Sequence, residues 1–126
     1  MKIQLSATLH TDGKGLWSGK AAPVRITGIG LGYLDDDLEF GELVVHFDQA
    51  DWEVQEDGLI YTDPLFKHEL AAFLASQGYD ATDIGYSEQG MQSDTYVSLD
   101  AGPRFLASFK AKHPAVVTAL MQEMQS

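Results

Sequence analysis

The chain has 126 residues and a mass of 13.8 kDa, which makes one domain, residues 1–126, with enough length to bury a real core. An apolar share of 44% and a charged share of 21% exclude a disordered chain. Eight basic residues against nineteen acidic ones leave −11, and the lack of cysteine excludes a disulfide framework and a thiolate metal site.

Ile3, Leu5, Ala7 and Leu9 alternate with polar residues, which predicts a first half-buried strand. Asp12-Gly13 marks a turn, and DGKGLWSGK reads as a loop. A second strand is predicted over 24–34. Strict alternation puts Ile26, Gly28, Gly30, Gly32 and Leu34 on one face, and Thr27, Ile29, Leu31 and Tyr33 on the other. Three glycines in line strip side chains from that face, so a helix, a ring or a ligand can approach the backbone. Asp35-Asp36-Asp37 forms the hairpin loop before a third strand, 38–47. Trp52-Val54 and Leu59-Tyr61 predict two short strands around a Glu56-Asp57-Gly58 turn.

The clearest helix follows. Asp63 suits the N-cap, Pro64 the first helical position, and Gly78 the left-handed close. Ile84–Ser87 and Thr95–Asp100 make a second hairpin around the polar connector EQGMQSD. Two more helices carry Phe105, Leu106 and Phe109, then Val116, Val117, Leu120, Met121 and Met124, with a break at His113-Pro114. The expected fold is α+β: an antiparallel sheet of about five to seven strands with two to three helices on one face.

Charge is distributed unevenly. Residues 26–66 hold eleven acids and no lysine or arginine, so one third of the chain carries the whole net charge. Such a field repels nucleic acid and anionic membrane, which need basic residues to neutralise phosphate. It attracts basic proteins and raises their association rate in a salt-dependent way. Solubility alone also explains an acidic surface.

Specific chemistry fails at the level of spacing. Gly13, Gly15 and Gly19 before Lys20-Ala21 do not make a phosphate loop, and Tyr33 stands where a dinucleotide fingerprint needs its third glycine. The run from Asp35 has Phe40 and His46 where a calcium loop needs glycine and glutamate. His46 and Asp48 are two ligands where a transition metal needs three or four, and completing the set from His10 or His68 would take a tertiary coincidence. No serine sits in a nucleophile-elbow motif. General acid–base candidates are Tyr86, Glu88, Asp94 and Tyr96 on the second hairpin. No cofactor and no metal are expected, and a non-catalytic role is favoured.

The stretch GYSEQGMQSDTYVSLDAG, residues 85–102, resembles a segment of small uncharacterised proteins of bacterial mobile elements, of the gene-cassette, phage or plasmid type. The resemblance covers about a seventh of the chain and implies no activity.

Three functional readings follow. The first is a binding protein whose acidic region engages a basic protein partner through Asp35, Asp36, Asp37, Glu39, Glu42, Asp48, Asp51, Glu53, Glu56 and Asp57, with Trp52 as aromatic anchor. At its limit, such a surface mimics DNA and inhibits a nucleic-acid-binding enzyme. The second is a small-molecule binder or minor enzyme whose site lies between the helices and the glycine-lined sheet, at Gly28, Gly30, Gly32, Tyr86, Glu88 and Tyr96. The third is a structural homo-oligomer, with a homodimer as its simplest form, using exposed strands or the Met121–Met124 helix. Gln89, Met91 and Gln92 add adaptable contact groups, and Trp17, like Trp52, sits in a loop-like or short-strand context beside polar residues, although a tryptophan is more often core than contact. A cytoplasmic location is expected, because the N-terminus lacks the apolar stretch of a secretory signal and no apolar run reaches the ~20 residues of a membrane span.

Overall fold

The alternating N-terminal segment forms β1 (Ile3–Thr11), which pairs antiparallel with β2 (Ala22–Leu34), itself paired with β3 (Gly41–Phe47). This computed structural model describes residues 2–85, 92, 93 and 95–125, apart from the side chains of Trp52, Gln55 and Gln125. After β3 the chain makes a 3-10 turn (Gln49–Asp51), a short helix α1 (Trp52–Glu56) and a second 3-10 turn (Ile60–Thr62). Then come helix α2 (Pro64–Ser76), strands β4 (Ile84–Gly85) and β5 (Tyr96–Ala101), and helices α3 (Pro103–Lys112) and α4 (Pro114–Gln125). The sheet runs β1-β2-β3-β5-β4, antiparallel throughout. The fold is α+β.

One face of the sheet is covered by helices. Phe66, Leu70 and Leu74 of α2, Phe105, Leu106 and Phe109 of α3, and Val117 of α4 are buried in one core cluster with Leu9 of β1, Ile29 and Leu31 of β2, Leu43, Val45 and Phe47 of β3, and Val97, Leu99 and Ala101 of β5, with α2 lying against β1 and α4 against β2. The predicted caps of α2 hold: the Phe66 amide donates to Asp63 Oδ1 at 3.1 Å, Pro64 opens the helix, and Gly78 adopts φ +91° after its end. α3 is capped from a distance, since Asp83 beside β4 accepts from the amides of Arg104 and Phe105 at 2.7 and 3.0 Å.

The predicted strands at 52–54 and 59–61 are corrected to helical turns. The Asp57 amide donates to Glu53 O, and the Thr62 and Asp63 amides donate to Leu59 and Ile60 carbonyls, so local bonds replace a sheet partner. The β-formers Trp52, Val54, Ile60 and Tyr61 misled because burial, not strand pairing, is what two of them satisfy: Ile60 and Tyr61 are core residues.

The faces of β2 are corrected too. Its core residues are Val24 and Ile26, then Ile29 and Leu31, then Leu34, a set that changes parity twice. Register shifts against β3 between Ile26 and Gly28, and again between Leu31 and Tyr33, insert Thr27 and Gly32 as extra residues and rotate the strand each time. Gly28 and Gly30 therefore pair with His46 and Val44 on the face away from the helices.

Candidate functional site

Gly28 and Gly30 face away from the helices, so these two glycines do not line a space between the sheet and the helices. Both are buried, and Gly28 and the exposed Gly32 sit where the backbone is closely approached. A Cβ on Gly28 would lie 2.5 Å from the Ile3 carbonyl oxygen, and one on Gly32 would run into the Glu42 carboxylate. The open face, which no helix among the described residues covers, carries Glu42, Val44 and His46 of β3 opposite Asp100, Ser98 and Tyr96 of β5. Glu42 accepts from Ser98 Oγ at 3.2 Å, and the His46 and Tyr96 rings lie 6.4 Å apart. Burial, together with the Lys2 charge, holds His46 below its ordinary pKa, so its imidazole is neutral at neutral pH. Tyr86, Glu88, Asp94, Gln89 and Met91 lie outside the described residues, so the second-hairpin group is represented by Tyr96 alone. Gln92 is used internally: its amide accepts from Ile60 N at 3.0 Å and donates to Gly58 O at 2.6 Å.

The acidic region divides in two. Asp35, Asp36, Asp37 and Glu39 sit at the β2–β3 tip, and Asp48, Asp51, Glu53, Glu56 and Asp57 follow the other end of β3. Seven strand residues at about 3.4 Å each separate the groups by about 24 Å. Glu42 belongs to neither, since it stands on the open sheet face. The acids of 35–57 thus fall at the two ends of β3, with Glu42 between them.

Several of these carboxylates are spent on the fold. Asp51 is buried and takes the Arg25 amide at 2.8 Å and the Arg25 guanidinium at 3.0 Å. Asp48 accepts from the Ala50 amide at 2.9 Å and lies 4.0 Å from the same guanidinium. Asp57 receives the Ser18 amide and hydroxyl, fastening the β1–β2 loop to the end of α1. The sequence could not show the bonds to Arg25 and Ser18, because those partners are more than twenty residues away.

The β2–β3 tip is different. Asp35 Oδ1 accepts from the amides of Glu39 and Phe40 at 2.8 and 3.2 Å, while the Asp35 amide donates to Phe40 O. Leu38, at φ +57°, turns its side chain inward to pack on the core and borders a groove with Pro103 and Ala107 of α3. A left-handed leucine persists only where its surroundings fix it, so the tip is held in one shape. Asp36, Asp37 and Glu39 are exposed around it. Beside them Tyr33 and Phe40, 45% and 46% exposed, form a tilted ring pair with centroids 6.1 Å apart. Sequence reading found the acids here and missed the aromatics, which only the hairpin register brings together.

No family model, curated protein or solved structure matches the chain. Among the described residues, no group of three or more histidine, aspartate or glutamate side chains is placed to hold a metal ion. No helix among them is long and apolar enough to cross a membrane.

Proposed function

We propose that this chain is a non-catalytic binding protein that engages a basic protein partner through the β2–β3 tip. The observation that carries the reading is the rigid tip itself, where three exposed carboxylates surround an exposed aromatic pair. Interfaces concentrate their energy in aromatic anchors with a polar rim, and a loop already in its bound shape loses little entropy on association. In this reading Tyr33 and Phe40 take the anchoring place first assigned to Trp52, and Asp36, Asp37 and Glu39 supply the rim. Asp35 and Leu38 hold the loop in shape.

The charge of −11 disfavours nucleic acid and anionic membrane as direct partners. Two compact acidic groups, rather than an extended row of carboxylates, also give a local ionic contact more support than mimicry of a phosphate backbone.

The test compares the native chain with Asp36→Asn/Asp37→Asn/Glu39→Gln and with Phe40→Ala, each immobilised in lysate of its own source cells and washed at low and then high salt. The reading expects a basic protein that the native chain retains, that salt releases and that both variants lose. A basic partner held equally by all three proteins, or no basic partner at all, would overturn it.

A further inference from the structure

At the other end of β3, the β1–β2 loop and α1 enclose an open groove of about 610 Å³. Its floor is apolar, made by Leu16, Ala21, Ala22 and Val54, and Glu53 and Glu56 stand along one wall. Both glutamates are exposed, and neither carboxylate forms an ion pair or hydrogen bond among the described residues. Trp17 lies in the chain between two of the lining residues, Leu16 and Ser18, and is 85% exposed, the most exposed large apolar side chain described.

That exposure is built in. Leu16, one residue earlier, is buried and bridges to Gly58, the Trp17 amide donates to Asp57 O at 2.7 Å, and the Ser18 amide donates to Asp57 Oδ1 at 3.0 Å. Asp63 grips the start of the same loop through the amides of Asp12, Gly13 and Gly15. The backbone is fastened on both sides of an indole that the described residues leave uncovered.

We infer that this groove is a docking site for an arginine-bearing segment of a basic protein. An indole face, two unpaired carboxylates and an apolar floor meet the three parts of an arginine side chain. The guanidinium stacks on the ring, its N–H fork reaches a carboxylate, and the methylene stem lies on the floor. Lys20 lines the same groove, yet Glu53, Glu56 and Asp57 outnumber it, so the local field stays negative. The site shares a class of partner with the tip but none of its residues, so the two readings fail independently.

The test titrates a peptide of eight arginines into the full chain and follows backbone amide shifts by NMR. Saturable shifts are expected at 16–22 and 53–57. Trp17→Ala should weaken the binding read at those amides about two- to fivefold, the range for a cation over an exposed ring. Glu53→Gln/Glu56→Gln should weaken it up to about fivefold per carboxylate and flatten its salt dependence. The tip variant Asp36→Asn/Asp37→Asn/Glu39→Gln should leave those amides responding as in the native chain. Circular dichroism confirms that each variant is folded. Shifts confined to 33–40, unchanged affinity in Trp17→Ala, or concentration-dependent shifts at 16–22 without peptide (a second copy in the groove) would each overturn the inference.

Discussion

Asp63→Asn tests how a buried carboxylate holds the β1–β2 loop on the fold. Asp63 is fully buried, and its two oxygens accept four backbone N–H groups. Oδ1 takes Phe66 and Asp12 at 3.1 Å, and Oδ2 takes Gly13 at 3.1 Å and Gly15 at 3.3 Å. Asparagine keeps one acceptor oxygen and turns an NH2 group toward two of those donors. Leaving a buried N–H unpaired costs about 1–3 kcal/mol. Gly13 is buried and pays in full, while Gly15 can recruit water, so the loss should be about 2–4 kcal/mol in all. With a urea slope of about 2 kcal/mol per M, the unfolding midpoint falls by roughly 1–2 M at pH 7.

The same bonds set a pH dependence. Burial pushes the Asp63 carboxyl up, but the N–H groups of Phe66, Asp12 and Gly15 together outweigh it and hold the pKa below the ordinary carboxylate value. A depressed folded pKa means the contribution is fully present above the unfolded pKa of about 3.9. It is lost as pH falls below that value and through the lower folded one. The native and variant midpoints should therefore differ equally at pH 7 and pH 5 and converge below about pH 4. Urea titrations read by circular dichroism measure this. A difference under about 0.5 kcal/mol at pH 7, the scatter of ordinary surface changes, would refute the reasoning, and so would a gap that survives intact at the acid end.

Three further predictions concern stability. Gly28→Ala should cost about 1–3 kcal/mol, because its Cβ meets the Ile3 carbonyl of a paired strand; Gly32→Ala should cost less, because the obstacle is the movable end of Glu42. Equal urea midpoints for the two would contradict the close-approach account. Gly78→Ala should cost about 1 kcal/mol in thermal unfolding, since φ +91° strains any residue with a Cβ. Trp17→Ala should leave stability within about 0.5 kcal/mol of native, because so exposed an indole contributes little to the core; a larger loss would mean that the ring packs on the fold.

What could be read from the sequence was whatever depends on neighbours a few residues apart. The Asp63-Pro64 start and Gly78 end of α2, the His113-Pro114 break between α3 and α4, and the period-2 pattern of β1 are local signals, and all three appear in the fold. The two bulges of β2 carry no such mark, since Thr27 and Gly32 fit an unbroken strand equally well, and their effect is to send Gly28 and Gly30 to the open face. Burial misled in the same way at Ile60 and Tyr61, where apolar β-formers fill the core from a 3-10 turn.

The candidate site shows the same limit. The acidic bias of 26–66 is plain in the sequence, but which acids remain available is a tertiary fact. Asp48, Asp51 and Asp57 look like Asp36 and Asp37 until Arg25 and Ser18 are found beside them. Trp17 reads as one more loop residue until the Asp57 contacts show that its backbone is fixed and its ring is left outside.

Amide hydrogen exchange on the chain alone, and then with the basic protein it captures, tests the central claim most directly. The account predicts slowed exchange at 33–40, centred on the Asp35 loop and the two aromatic residues, with no change at the amides of Asp36→Asn/Asp37→Asn/Glu39→Gln under the same conditions. Protection that leaves 33–40 untouched and falls instead on the open face of β3 and β5 would contradict it.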